Sequence, residues 1–125
     1  MNLETLLTFQ IGYCLVGIGY NIVSKMRIHK GSGGLAPTNP SIGILIMIGY
    51  GLLLTPGFLG WFMFYRLSMG LSILILGMGG VVVHLRNLLQ KNLENYSSRR
   101  SLLVALAINT GGLFLNLISA LGAWN

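Results

Sequence analysis

Aspartate is absent from this 125-residue chain, and glutamate occurs only twice, at Glu4 and Glu94. Paired-carboxylate acid–base catalysis and carboxylate metal sites are therefore nearly excluded. A proton- or cation-coupled pump, which usually needs a carboxylate inside a span, is disfavoured for the same reason. Cys14 is the only cysteine, so there is no internal disulfide and no cysteine metal motif, and it reads as a small packed apolar residue. No G-x-S-x-G elbow is present to activate a serine, and no enzymatic activity is expected. Charged residues make up 8% of the chain, against about a quarter in a soluble domain. Lipid is the solvent that tolerates such a deficit.

What is present is a set of long hydrophobic runs, with a mean hydropathy of +0.75. A bilayer core of about 30 Å needs roughly 20 apolar residues as a helix. The sequence predicts an all-α integral membrane protein, a four-transmembrane-helix bundle forming one membrane domain over residues 1–125. The approximate spans are 5–24, 41–65, 67–85 and 102–121. The start, Met1-Asn2-Leu3-Glu4, lacks the basic opening of a cleaved leader, so the first block is expected to remain as an anchor. Pro56-Gly57 interrupts the second run. The expected solution is a kink at Pro56 with the turn at Tyr65-Arg66; the alternative is a turn at Pro56-Gly57, leaving a second helix of about 14 residues.

Seven of the eight basic residues lie in two polar stretches between these runs: Lys25, Arg27 and Lys30, then Arg86, Lys91, Arg99 and Arg100. Lys and Arg flanking membrane spans favour the cytoplasm. The stretches 25–40 and 86–101 are thus expected to be cytoplasmic, with both termini non-cytoplasmic. Trp61, Tyr65 and Trp124 then fall at the opposite interface, where amphipathic rings are enriched. The formal charge of +6 points to a bilayer with anionic headgroups rather than nucleic acid, because the cations flank apolar runs. The layout suits a bacterial inner membrane and a thylakoid or other organellar membrane equally.

The first stretch carries Gly31-Ser32-Gly33-Gly34 and reads as a flexible connector without a P-loop pattern. It ends in a helix start, with Asn39 as cap and Pro40 in the first position. In the second stretch, Leu85, Leu88, Leu89, Leu93 and Tyr96 recur at helical spacing. They predict a short amphipathic cytoplasmic helix between spans 3 and 4.

Helices in lipid associate through small residues and interhelical hydrogen bonds. Three spans show such a seam. The first has Gln10, Tyr13, Gly17, Tyr20 and Ser24, with Cys14 and Asn21 beside them; the third has Gly70, Gly77, Gly80, His84 and Asn87; the fourth has Ala105, Asn109, Gly112, Asn116, Ser119 and Ala123. A partly polar bundle interior follows. His84 is the one ionisable residue well inside a run, which makes it the candidate cofactor-binding residue, for haem iron or a quinone carbonyl. A structural hydrogen bond is the plainer role. His29 belongs to the basic loop. No metal site and no definite cofactor are indicated. The chain lacks the first-span Glu of small multidrug-resistance transporters and the motifs of fluoride channels.

Negative chemistry combined with packing seams points to a protein that works by association. It would be an accessory, assembly or stabilising subunit of a larger membrane complex, or a homo-oligomer, with other membrane subunits or itself as partner. Two alternatives stand beside it. One is a channel or transporter for a neutral or anionic solute, lined by Gln10, Tyr13, Asn21, Asn109 and Asn116. The other is a haem- or quinone-site subunit using His84.

Overall fold

The computed structural model describes all 125 residues, and the chain is helical throughout with no strand. α1 runs Leu3–His29, α2 Pro40–Leu53, α3 Thr55–Phe58 and α4 Phe62–Leu76; a π-helical segment Gly77–Val82 leads into α5, Val83–Leu89, and α6 spans Arg99–Leu121. These make four helices long and apolar enough to cross a membrane: Leu3–His29, Pro40–Phe58, Phe62–Leu89 and Arg99–Leu121.

Each start is fixed by local chemistry. Asn2 accepts from Thr5 N at 2.8 Å. Asn39 accepts from Ser41 N at 2.9 Å while Pro40 takes the first helical position, where its missing N–H is no loss. Ser98 and Ser101 form a reciprocal box at the head of α6.

The second run does not reach Tyr65. It ends at Phe58, and the chain turns at Leu59–Trp61. Pro56 lies in the first turn of α3, so it bends the run without ending it. The end comes at Gly60, whose φ of +75° closes a Schellman motif: Trp61 N bonds Pro56 O at 2.8 Å. The expected turn at Tyr65-Arg66 is therefore wrong, and so is a turn at Pro56-Gly57, although α2 has the 14 residues that alternative implies. Arg66 belongs to α4 and reaches across to the end of α6, where Nε and Nη2 donate to Ala120 O at 3.1 Å and Leu121 O at 3.3 Å. Tyr65 is fully buried rather than interfacial.

The expected amphipathic helix also stops early. α5 ends at Leu89, and Asn92 N bonds Asn87 O at 2.9 Å with Lys91 at φ +52°. This is again a Schellman ending, here with lysine in the left-handed position. Residues 90–98 are turns, yet Tyr96 still packs on Ala36 and Leu102, with Leu88 and Tyr20 alongside.

α1 lies between α2 and α6, and α4 packs on α6. α2 approaches the third span only at α4; its backbone makes no close approach to the π segment or α5. The bundle is thus closed at one end and parted at the other, between α2 and the π segment. The closed end holds the turn at Gly60 and both termini, where Asn125 N bonds Met1 O at 3.2 Å. The parted end holds loops 30–39 and 90–98 and seven of the eight basic side chains. Large apolar residues face outward, as a lipid solvent requires; Leu45, Leu52 and Met78 are each more than two-thirds exposed.

Candidate functional site

The polar residues of the interior separate into two groups. The first is a closed knot. Gln10 Nε2 donates to Asn116 Oδ1 at 3.1 Å and Ser119 Oγ at 3.0 Å, and touches Met69 Sδ at 3.2 Å. Tyr65 OH donates to Gln10 Oε1 and lies 2.9 Å from Ser119 Oγ. Tyr50 OH donates to Asn116 Oδ1 at 2.7 Å. All four spans contribute, and Gln10, Tyr65, Asn116 and Ser119 are fully buried. Tyr50, Tyr65 and Met69 escape the seam pattern. A buried phenol needing a partner was the available signal for the two tyrosines.

The second group lines a cleft of about 330 Å³ at the parted end. Its walls are α2, through Ile42, Gly43, Ile46 and Met47, and the third span, through Ile75, Leu76, Gly79, Gly80 and His84. Its floor is α1 and α6, with Tyr13, Tyr20, Asn21, Ala105, Ile108 and Asn109. The lining is mainly apolar, with a few polar groups on the floor, and the volume lies at the lower end of the ligand-pocket range of roughly 300–1,000 Å³.

Two asparagines shape this cleft in the same way. Asn21 Nδ2 donates to its own-helix Gly17 O at 2.8 Å, and its oxygen sits where a side chain on Gly43 would be. Asn109 Nδ2 donates to Ala105 O at 2.8 Å, and its oxygen sits on Gly80. Gly80 lies in the π segment, whose i→i+5 turns change the register of the third span. The inward line is Tyr65, Met69, Ser72, Leu76, Gly80 and His84, the last two steps being four residues each. The expected face through Gly70 and Gly77 is only partly interior: a side chain on Gly70 would meet nothing within 4 Å, and one on Gly77 only Leu113 at 3.8 Å. A constant period of 3.6 could not anticipate that shift.

Tyr13 stands between the two groups. Its ring lies over Gly112 and meets Tyr50 edge-on at 5.2 Å, but its hydroxyl is buried with no hydrogen-bond partner. An orphaned buried hydroxyl of this kind costs about 1–3 kcal/mol. Asn116 Nδ2 is likewise unpaired within the knot.

His84 is held by the loop beyond its helix. Its Nδ1 lies 2.7 Å from Tyr96 OH, which also receives Asn87 Nδ2 at 3.4 Å. Burial pushes the Tyr96 phenol above its ordinary value, more than the Asn87 hydrogen bond lowers it. Tyr96 therefore keeps its proton, and the tautomer of the neutral ring decides which partner donates across the Nδ1 contact, Nε2 being the nitrogen outside it. That nitrogen has no protein partner, and His84 lines the cleft. His29 lies outside the cleft, in an open basin of about 800 Å³ between the two loops, so the histidines share no pocket. No group of three His, Cys, Asp or Glu is assembled to hold a metal.

Of the basic residues, Lys25 lines the basin and Arg27 Nη2 reaches Ser32 O at 3.4 Å. Lys30, Arg86, Lys91, Arg99 and Arg100 are exposed around the same end. Cys14 is buried and donates to Met47 O at 3.1 Å.

The chain matches no known protein family, no curated protein and no solved structure. Its class follows from its own residues: an all-helical, multi-pass membrane protein with four apolar spans.

Proposed function

We propose that this protein is a membrane-embedded binding protein whose cleft takes a lipid-soluble ligand sideways from the bilayer. The observation that carries the reading is the parting of α2 from the π segment. It leaves an apolar cleft lined by His84, whose Nε2 lacks a protein partner. An aqueous pathway through Gln10 and Asn116 has less support, because those side chains are fully buried and bonded to each other. In this reading His84 Nε2 is the hydrogen-bonding group that meets the ligand. The basic end faces the cytoplasm, and both termini face away from it.

The test is to fill the cleft. Gly79 lines it, and a side chain there meets nothing within 4 Å. Gly79→Phe should abolish retention of a co-purifying amphiphile in native mass spectrometry while leaving the helical spectrum unchanged. Equal retention by both forms would refute the reading.

Association remains the second reading. Gly12 and Gly19, seven residues apart on α1, have nothing within 4 Å of a side-chain position. Small residues left uncovered on an outer face suit close packing against another helix. Mild-detergent extraction should then give a particle larger than the 13.6 kDa chain plus its micelle, and a monodisperse monomer would oppose it.

A further inference from the structure

We infer that the occupant of the cleft is a glycerophospholipid whose headgroup carries both a phosphate and an amine. One acyl chain lies in the cleft and the headgroup lies in the basin between the loops. The inference rests on the lipid-soluble-ligand reading and narrows it to one chemical class.

Five observations converge. The cleft and the basin share Ala36, Thr38 and Asn39, so they adjoin end to end. The character changes along their joint length, from a largely apolar cleft to a basin with few hydrophobic residues in its lining and a larger polar share. A phospholipid changes character in the same order from chain to headgroup. The direction also matches. The basin lies where α1 ends and α2 begins, at the polar boundary of the spans. From Asn21 to Tyr13 the floor then descends eight residues of α1, or about 12 Å at 1.5 Å per residue, towards the bundle centre. A bilayer lipid already lies along that path.

Volume sets the number of chains. At roughly 30 Å³ per water-sized group, 330 Å³ holds about eleven such groups. That is enough for part of one acyl chain and not for two. The second chain stays on the outer surface, through the gap between α2 and the π segment. Charge sets the headgroup. Lys25 from α1 and Glu94 from the loop after α5 line the same basin, with His29 beside them. A phosphate at Lys25 and an ammonium at Glu94 satisfy both, whereas a purely anionic headgroup would face the Glu94 carboxylate. A neutral quinone would leave both charges unmatched.

Full-length protein in nanodiscs of equal parts phosphatidylethanolamine, phosphatidylglycerol and diacylglycerol provides the test, with native mass spectrometry reading the lipid retained. One phosphatidylethanolamine per chain is expected, lost in Gly79→Phe. Lys25→Gln should lower its occupancy about fivefold, consistent with loss of one headgroup-level cation contact. Glu94→Gln should remove the preference for phosphatidylethanolamine over phosphatidylglycerol without loss of total phospholipid. Both charge variants lie outside the packed interior and carry no fold-dependent contact through their charged atoms. Retention of diacylglycerol alone, or of phosphatidylglycerol by preference in the unaltered protein, would overturn this inference and leave the cleft reading standing. Retention of no lipid would overturn both.

Discussion

Gly111 and Gly112 are neighbours in α6, and one added methyl should act on them in opposite directions. At Gly112 a Cβ would collide with the Tyr13 ring; even the third-nearest ring atom, Cε1, lies at 2.8 Å, which is 0.6 Å inside the 3.4 Å where ordinary contact begins. The ring has little room to retreat, because Tyr50 meets it edge-on at 5.2 Å and the hydroxyl of Tyr50 is bonded to Asn116. Overpacking a filled interior costs about 1–3 kcal/mol, and this site belongs at the upper end because the obstacle is a backed aromatic ring. Replacing glycine by alanine in a helix returns about 1 kcal/mol. The net expectation for Gly112→Ala is destabilisation by about 2 kcal/mol. At Gly111 a side chain meets nothing within 4 Å, so Gly111→Ala should be neutral or stabilising by up to about 1 kcal/mol. Reversible unfolding in mixed micelles, followed by circular dichroism, measures both. Tyr13→Leu combined with Gly112→Ala should recover much of the loss, since the branched side chain ends short of the ring's far edge. Equal stability of Gly111→Ala and Gly112→Ala would refute the packing argument.

Gln10→Leu keeps bulk but removes the bonds to Asn116, Ser119 and Tyr65; at about 0.6 kcal/mol per interhelical bond in a membrane, the same assay should register a loss of about 2 kcal/mol. Lys91 holds φ +52° at an exposed helix end, so Lys91→Gly should stabilise by about 0.5–1 kcal/mol after the added freedom of the unfolded chain is counted. Arg66→Gln removes a charged donor from the last carbonyls of α6 and should cost about 0.3–1 kcal/mol, seen as faster amide exchange in the last turn of α6. For orientation, Ser32→Cys in the loop between α1 and α2 should react with an impermeant thiol reagent only when the cytoplasmic face is opened; labelling from outside intact cells would invert the arrangement.

The seams legible in the sequence served two separate purposes, and the sequence did not mark the division. Gln10 and Asn116 share a period with Asn21 and Asn109, yet the first pair bond to each other while the second pair each bond their own helix and sit on a glycine. Nothing in the spacing distinguishes a side chain that meets a donor across the interface from one that meets a bare backbone. Tyr50 and Tyr65 come from positions 54 to 66 residues away from the groups they complete, and Tyr96 comes from a loop with no helical period. Tyr96 is the clearest instance: its spacing suits an amphipathic helix, but it reaches His84 from a turn that follows a left-handed lysine.

By itself the sequence determined that the chain is helical with four apolar runs, that Asn39 and Pro40 open the second helix, and which end collects the cations. Those properties depend on local composition and on capping within a few residues. It also left little scope for paired-carboxylate chemistry, since folding has only Glu4 and Glu94 to bring together. Only the tertiary structure decided where the second run ends, because a proline in the first turn of a helix and a proline that breaks one are identical in sequence. It alone decided which face of the third span is interior, because six residues of wider helix shift every position beyond them. The cleft is decided at the same level. It exists because α2 and the π segment stand apart while α1 and α6 hold together, a relation among four helices that no single stretch encodes.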